Sequence, residues 1–139
     1  MCLLSDTHGV LDPRVAEIAR GCEIAVHAGD IGCASILDEL REACHAVVAV
    51  RGNNDVASKW PKGERAQLDA IEKSAELELP GGLLIVEHGD RRLPADRRHD
   101  LLRRAHPGAK LIVYGHSHVL AVDKDARPWV ANPGAAAAV

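Results

Sequence analysis

Aspartate and histidine side chains, which bind divalent metal ions and exchange protons, recur directly after short apolar runs of this sequence. Together with one asparagine, these side chains make up the candidate metal-ligating residues, which are Asp6, His8, Asp30, Asn53, His88, His116 and His118. Each has a glycine close by, which permits tight turns and close backbone approach. Carboxylate, imidazole and amide carbonyl groups without a thiolate suit Mn, Fe, Zn or Ni. The sequence therefore predicts a centre for transition metal ions.

A shared carboxylate would allow these residues to hold two metal ions. Such a bridge keeps the ions about 3.5 to 4 Å apart, a separation that activates water and stabilises the attacking and leaving oxygens of phosphoryl transfer. Asp30 is the natural bridge, because it stands between Gly29 and Gly32. The pattern indicates phosphoryl-transfer chemistry.

These residues are far apart in sequence, so the fold must bring them together. Short apolar runs alternate with helix-like stretches and end in glycine-containing turns, which is typical of βαβ units. In open α/β sheets the carboxyl ends of the strands face the ligand crevice. We therefore expect the seven side chains to converge at that edge.

The apolar and helical periodicities predict the order of the elements. Strands are expected at 1–4, 23–27, 46–50, 75–79, 83–87, 110–114, 119–123 and 129–131. Helices are expected at 13–20, 35–43 and 96–105, with weaker helical character at 64–73. The polar segment 56–63 predicts a mobile excursion, and the turn signal at 80–82 predicts an antiparallel hairpin.

Composition excludes several classes of protein. The chain has 139 residues, of which 47% are hydrophobic and 27% charged, as in one globular domain. Its net charge of −3 does not favour sequence-independent binding of nucleic acid. No apolar run approaches the roughly 18 residues of a membrane span. The start lacks a secretory pattern and the four cysteines form no CxxC pair, so we expect a cytoplasmic protein with reduced thiols.

The motifs, in this order, resemble those of the calcineurin-like metallophosphoesterases. Within that family the sequence is similar to the small bacterial and archaeal phosphodiesterase group, which also contains the retromer scaffold subunit. The resemblance spans nearly the whole chain and is carried by Ser5-Asp6-Thr7-His8-Gly9, Ala28-Gly29-Asp30, Arg51-Gly52-Asn53-Asn54-Asp55, Glu87-His88-Gly89, Tyr114-Gly115-His116-Ser117-His118 and Asn132-Pro133-Gly134.

The resemblance implies a fold, a ligand set and a reaction. The fold is a four-layer α/β/β/α sandwich of two mixed sheets with a shortened second sheet, forming one domain over 1–139 that is shortened at both ends. One ion would be held by Asp6, His8, Asp30 and His118, and a second by Asp30, Asn53, His88 and His116. A hydroxide bridging the ions would attack phosphorus, which makes Asp30, Asn53 and His116 the catalytic candidates. The expected cofactors are two divalent ions, with manganese preferred over nickel, zinc or iron. The expected substrate is a small phosphate ester, with a phosphodiester preferred over a monoester.

Two positions near the site depart from the family pattern. Many relatives carry a histidine at Asn54 that protonates the leaving group, and an amide cannot act as a general acid near pH 7. We therefore expect slow turnover and a preference for good leaving groups. Asp90 stands where a second histidine often follows His88. Asn54 and Arg91 are the candidate substrate-binding residues.

Several other polar residues are expected to support the structure. Asp55 is expected to accept backbone hydrogen bonds, and Asp12 to cap a helix. His27 is the histidine outside the motifs best placed to support Asp30. The arginine doublets at 91–92, 97–98 and 103–104 favour a solvated helix face. Trp60 fits either the core or a binding surface.

Two other functions compete with the metal-dependent hydrolase. Ser117 could be the nucleophile of a serine hydrolase, but Val119 replaces the glycine of that turn and few residues follow it. The second alternative is a metal-poor scaffold of the same fold that binds proteins. The chain ends soon after 134, where relatives usually continue, so a sheet edge would be exposed for pairing with another chain.

Overall fold

The computed structural model describes residues 1–137, which contain eight strands and four α-helices. The strands are β1 (Cys2–Leu4), β2 (Ile24–His27), β3 (Ala46–Ala49), β4 (Ser74–Leu79), β5 (Gly82–Glu87), β6 (Leu111–Val113), β7 (Ala121–Asp123) and β8 (Trp129–Asn132). The helices are α1 (Pro13–Arg20), α2 (Ala34–Ala43), α3 (Arg65–Asp69) and α4 (Arg98–Ala105), and a 3₁₀ turn (Ala95–Arg97) leads into α4. The domain expected over 1–139 includes residues 138 and 139, which lie outside this description.

Local sequence signals explain where the first helix begins and ends. The Asp12 side chain accepts a hydrogen bond from the Arg14 backbone N–H at 2.8 Å, which confirms its capping role. Pro13 occupies the first turn, where its missing N–H leaves no intrahelical bond unmade. Gly21 follows the last residue of the helix. The predicted range of α1 is therefore the observed one.

The strands form two sheets with different pairing. The first sheet has the order β1-β2-β3, and both of its pairings are parallel. The second has the order β4-β5-β6-β8-β7. In it, β4–β5 and β7–β8 are antiparallel, whereas β5–β6 and β6–β8 are parallel. The mixed pairing thus lies in the second sheet, which has five strands because an antiparallel pair extends it on each side.

Three apolar clusters show that the sheets and helices form four layers. Between the sheets, buried side chains meet from both sides: Val26, Ala28, Val50, Leu84, Val86 and Val113. The other face of the first sheet packs against α1 and α2, with Leu4, Ala19 and Leu40 fully buried there. Leu102 of α4 packs on Ile112 and Val130 of the second sheet. The α/β/β/α sandwich is therefore confirmed.

The segment expected to be a mobile excursion is anchored to the core. Trp60 is 5% exposed and packs with the apolar residues beneath α1 and α2. Its indole N–H donates to Asp55 Oδ1 at 2.9 Å. Trp60 is therefore a core residue, and the polar composition around it did not reveal this anchor. No helix in the described part of the chain is long and apolar enough to cross a membrane.

Asp55 joins the loop after β3 to the loop after β2. Its buried carboxylate accepts hydrogen bonds from the backbone N–H groups of Ile31, Gly32 and Gly52, all at 3.1 Å or less, in addition to the bond from Trp60. The expected structural role of Asp55 is thus confirmed. Four donors therefore depend on one side chain. Removing that side chain would leave each of them without an acceptor, and a buried N–H without an acceptor is costly.

We predict that Asp55→Ala lowers the free energy of unfolding by about 3 kcal/mol or more, since it leaves four donors without their acceptor. Urea denaturation measures the change. The control is Asp69→Ala, which breaks only an exposed ion pair with Arg65 and should cost about 0.5 kcal/mol or less. Equal losses in the two variants would contradict the role of Asp55.

His27 is fully buried and links the loops that follow β1 and β2. Its Nδ1 accepts the Gly29 N–H at 3.2 Å, and its Nε2 donates to Thr7 Oγ1 at 3.0 Å. The Thr7 hydroxyl in turn donates to the Ile31 carbonyl at 2.8 Å. Burial lowers the pKa of His27 to about 4, so the ring is neutral at pH 7.

The pKa of His27 predicts a loss of stability in acid. The unfolded chain takes up a proton near the ordinary pKa of about 6.5, whereas the folded chain takes it up only near 4. Stability is therefore complete above the unfolded pKa and declines as the pH falls toward 4. The stabilisation of the wild type over His27→Gln should shrink by about 2 kcal/mol between pH 7 and pH 5. Urea denaturation at each pH measures it, and a difference that does not change with pH would show that His27 titrates normally.

Candidate metal centre

The seven candidate ligands lie at the carboxyl ends of the strands, as the βαβ pattern predicts. Backbone hydrogen bonds join the loops that carry them. The Asp6 N–H donates to the Gly29 carbonyl at 2.9 Å and the His8 N–H donates to the Asp30 carbonyl at 3.0 Å. The Gly115 N–H donates to the His88 carbonyl at 3.1 Å. His88 Nδ1 donates to the Ala28 carbonyl at 2.8 Å, so loops from both sheets meet at one edge.

One group of ligand atoms forms around Asp6. His118 Nε2 lies 3.3 Å from Asp6 Oδ1 and 3.4 Å from His8 Nε2. The three side chains offer ligand atoms that all lie within 4.8 Å of one another. Asp6 is buried, whereas His8 and His118 are partly open to solvent. This spacing allows one cation to contact all three.

A second group of ligand atoms forms around Asn53. Its carbonyl oxygen lies 3.1 Å from His88 Nε2 and 3.1 Å from His116 Nδ1. His88 also lies within ligand distance of the carboxylates of Asp6 and Asp30. The two groups are therefore adjacent and share their acidic residues.

Asp30 lies between the two groups. Its Oδ2 is 3.4 Å from His88 Nε2 and 3.8 Å from His8 Nε2. Burial raises the pKa of this carboxyl, but hydrogen bonds from His88 and from the backbone and side chain of Asn54 outweigh burial and hold the pKa below its usual value. Asp30 is therefore an anion that faces both groups, as a bridging ligand must be.

One buried oxygen tests whether these residues fit a cation. Asp6 Oδ2 accepts hydrogen bonds from the Ser5 hydroxyl at 2.6 Å and from the His116 N–H at 3.1 Å. Asp6 Oδ1 is buried without a hydrogen-bond donor, because the nearby His118 Nε2 lacks hydrogen-bond geometry. A buried carboxylate oxygen without a partner is costly, and a bound cation would satisfy it. The residues present therefore fit a divalent metal ion.

The backbone of this region is strained at the ligand positions. Left-handed φ angles between 47° and 67° occur at five non-glycine residues in the described chain: Asp6, His8, Asp30, His116 and His118. All five are candidate ligands. A non-glycine residue in this region costs on the order of 1 kcal/mol and persists only where surrounding contacts hold it.

Glycines allow the loops to approach each other this closely. A Cβ at Gly52 would collide with the Asp30 carboxylate, and one at Gly115 would lie 2.8 Å from Asp6 Oδ2. A side chain at Gly52 would displace the carboxylate of Asp30, the candidate bridging ligand, and one at Gly115 would displace the carboxylate of Asp6.

Two histidines of the second group have opposite pKa shifts. Burial lowers the pKa of His88, but its hydrogen bonds to Asp30 and to the Ala28 carbonyl outweigh burial and raise the pKa above the usual value. Burial lowers the pKa of His116, and the positive charges of His88 and Arg98 add to this shift. His88 Nε2 lies 3.4 Å from Asp30 Oδ2, so a cation bound between them would compete with a proton for this nitrogen.

The two candidate substrate-binding residues differ in their contacts. Asn54 Nδ2 donates to Asp30 Oδ2 at 2.7 Å, so this amide is engaged within the site. Its carbonyl accepts a hydrogen bond from Lys59. Arg91 is exposed and has no ion pair among residues 1–137. Its neighbour Arg92 is held by Glu87 through two bonds of 2.8 and 2.7 Å, which leaves Arg91 as the available guanidinium.

The expectation of a solvated arginine face is wrong for part of α4. Arg98 is only 7% exposed, and its Nε has no hydrogen-bond partner. Arg103 pairs with Asp123 at 2.8 Å and donates to the Pro128 carbonyl. The cause is that α4 lies on the second sheet, where Asp123 pairs with Arg103 and the packing covers Arg98. The sequence does not reveal the Arg103–Asp123 pair, because these residues are distant along the chain.

Ser117 lacks the contacts of a serine nucleophile. Its hydroxyl oxygen accepts hydrogen bonds from Asn132 Nδ2 at 2.9 Å and from the Val119 N–H at 3.3 Å. No histidine within residues 1–137 forms a hydrogen bond with this hydroxyl. The site therefore does not resemble a serine hydrolase centre.

Solved structures share this fold at low sequence identity. Wild-type Vps29 complexed with Zn²⁺ from Entamoeba histolytica is 17% identical with a TM-score of 0.75, and the match covers 98% of this chain and 75% of that one. YfcE, a phosphoesterase from E. coli, is 24% identical with a TM-score of 0.65, covering 96% and 78%. An archaeal phosphodiesterase is 23% identical with a TM-score of 0.64, covering 96% and 82%. No curated protein matches the chain in sequence.

The family is shown by the sequence itself. The profile of the calcineurin-like phosphoesterase superfamily domain matches residues 1–139, the full length of the chain. The match confirms the resemblance seen in the ordered motifs, and the neighbouring structures agree with it in fold. This chain therefore belongs to the calcineurin-like phosphoesterase superfamily.

Proposed function

We propose that this protein is a metal-dependent phosphoesterase that hydrolyses phosphodiesters with two divalent metal ions. The observation that carries the proposal is the convergence of seven ligand residues into two adjacent groups with Asp30 between them. Membership of the phosphoesterase superfamily supports a hydrolase. The buried, unpartnered Asp6 Oδ1 supports a cation in the first group.

Each ion would have four ligands from this chain. The first ion would be held by Asp6, His8, Asp30 and His118, and the second by Asp30, Asn53, His88 and His116. Manganese is the first choice, with nickel, zinc or iron as alternatives, because the ligands are oxygens and imidazole nitrogens. When bound, such ions lower the pKa of water to supply a nucleophile and polarise the phosphoryl group.

The residues of the chain position the reacting groups. Asp30 stays ionised and is oriented by both donors of Asn54, so it can serve both metal sites. Asn53 and His116 would help to hold the second ion, and with Asp30 they are the proposed catalytic residues. Asn54 supplies no proton to a leaving group, so turnover should depend strongly on leaving-group acidity.

The proposed substrate is a small phosphate ester. Arg91 is the proposed donor to a substrate phosphate, since its guanidinium can form two parallel hydrogen bonds. The net charge of −3 disfavours sequence-independent binding of nucleic acid. The four cysteines are all free thiols, which supports a cytoplasmic location.

A protein-binding scaffold is the second candidate function. Vps29 structures from several organisms share the fold, one of them from Cryptosporidium parvum with a TM-score of 0.79 and 20% identity. In this chain, the edge strand β7 and the residues before it expose apolar side chains: Val119 at 64%, Leu120 at 72% and Val122 at 64%. Such an edge favours pairing with a second chain, which is compatible with either function.

Metal analysis separates the two functions. We predict two transition ions per chain after loading with Mn²⁺, a higher Tm in Mn²⁺ than in EDTA, and hydrolysis of bis(p-nitrophenyl) phosphate. Asp6→Asn should weaken the Tm increase, because it removes the charge of a terminal ligand. A protein that takes up no metal and hydrolyses no ester would support the scaffold and overturn the enzyme.

The roles of Asp30 and Asn54 predict a graded loss of activity. Asp30→Asn should reduce kcat/KM by at least about a hundredfold, because it removes the charge shared by both metal sites. Asn54→Ala should reduce it by about tenfold, because it removes only donors that orient Asp30. Asp69→Ala, on the surface of α3, is the control and should retain full activity. Similar losses at positions 30 and 54 would contradict the assignment of the bridging ligand.

A further inference from the structure

A cavity of about 280 Å³ adjoins the candidate metal centre. Asn53 and His88 belong both to its wall and to the second group of ligand atoms. Residues after β3, residues just before β4, the last residue of β5 and the residues that follow it form the rest of the wall. A substituent on a phosphoryl group held at the centre can therefore enter this cavity.

Three cationic side chains line the cavity. Arg51, Lys73 and Arg91 belong to its wall, and none of them has an ion-pair partner in the described chain. Arg51 is fixed in place, because its Nε donates to the Ile71 carbonyl at 2.9 Å. Lys73 and Arg91 are exposed. The wall thus presents cations from three separate segments toward the same space.

The carboxylates of the wall neutralise these cations only in part. Asp55 is engaged by its four N–H donors, and Glu87 accepts hydrogen bonds from Arg92 and His106. Asp90 is the remaining carboxylate in the wall and has no ion pair within residues 1–137. Asp55 keeps its charge because its donors are neutral N–H groups, so three cations of the wall face two carboxylates without an ion pair. The excess of one positive charge favours an anion in the cavity.

The size and the lining of the cavity limit the group that fits. Its volume equals that of about nine water molecules in liquid water, at about 30 Å³ each. His88 is the only wall residue with an aromatic ring, and it is turned toward Asp30 and Asn53. The wall therefore offers no aromatic platform on which a nucleobase could stack. A small anionic group fits these features.

We infer that this cavity binds a second anionic group, a phosphate or a carboxylate, on the non-leaving arm of a phosphodiester substrate. This inference rests on the proposed function and narrows its substrate class. The second charge would place the scissile phosphoryl group beside the ligand residues. Arg91 and Lys73 would contact the anionic group at the cavity mouth, and Arg51 would contact it at the wall.

Esters with one leaving group and different arms test the inference. The substrates are p-nitrophenyl phosphodiesters whose second arm is ethyl, 2-carboxyethyl or 2-phosphonooxyethyl, assayed with the Mn²⁺-loaded protein. We expect kcat/KM for a substrate with an anionic arm to exceed that for the ethyl substrate by about tenfold or more, because one hydrogen bond to a charged group provides enough binding free energy for this difference. The preference should fall as ionic strength rises. Comparison of the two anionic arms shows which anion the cavity prefers.

Variants of the exposed cations link the preference to the cavity. Lys73→Gln and Arg91→Gln should lower the ratio of kcat/KM for the anionic substrate to kcat/KM for the ethyl substrate toward one. The control is Lys62→Gln, at an exposed residue outside the cavity, which should leave this ratio unchanged. Lys73→Glu should favour a 2-(trimethylammonio)ethyl arm over 2-carboxyethyl. A purely structural role for Lys73 would not reverse this order.

A binding measurement on the metal-free protein keeps this inference distinct from the proposed function. Calorimetric titration with inorganic phosphate in EDTA should give a weaker affinity for Lys73→Gln than for Lys62→Gln. If no ester is hydrolysed with any metal, the proposed function fails, and this titration alone decides whether the cavity binds anions. If the ethyl ester is hydrolysed but the arm makes no difference, the cavity inference is overturned and the proposed function stands.

Discussion

The close approach of carboxylates and imidazoles at one buried edge is the constraint on which the rest of the structure depends. Asp6 and Asp30 are almost inaccessible to solvent, yet each lies within 3.4 Å of an imidazole nitrogen. Charges held in this way are costly unless they are paired. The loops that carry them are therefore tied together by backbone hydrogen bonds within each sheet. Hydrogen bonds from the His116 N–H to Asp6 Oδ2 and from His88 Nδ1 to the Ala28 carbonyl join the loops of the two sheets. The two parallel crossovers of the first sheet bring these loops to the same edge.

The groups behind the ligands hold the loops without adding positive charge to the site. Asp55 organises the loops that carry Asp30 and Asn53 through N–H donors alone. His27 links Thr7 to Gly29, and its lowered pKa keeps it neutral. A protonated imidazole at that depth would repel cations, because the low dielectric of the interior strengthens such interactions. A neutral, hydrogen-bonded support is therefore suited to a cation site.

The strands, the helices and the convergence of the site could be predicted from local sequence signals, whereas the four-layer arrangement was an expectation from the family resemblance. Apolar runs mark strands, and the parallel strands of the first sheet place their carboxyl ends together. Side-chain partners across the fold could not be predicted in this way. The Glu87 pairing with Arg92 and His106 and the Asp123 pairing with Arg103 depend on how α4 lies on the second sheet. The same limit applies to Asn54, whose amide proved to contact Asp30.

The strained backbone bears on the choice between an enzyme and a scaffold. Five ligand positions adopt left-handed conformations that glycine would adopt without steric cost, and glycines stand next to several of them, as at Gly9 and Gly29. A domain that used only its outer surface would be more stable with glycine at these positions too. The chain instead carries Asp and His there, with one carboxylate oxygen of Asp6 buried and unpartnered. Strain at five ligand positions, together with the unmet carboxylate oxygen of Asp6, is expected where a bound ion compensates for both, which favours a metal-binding site over a metal-poor scaffold.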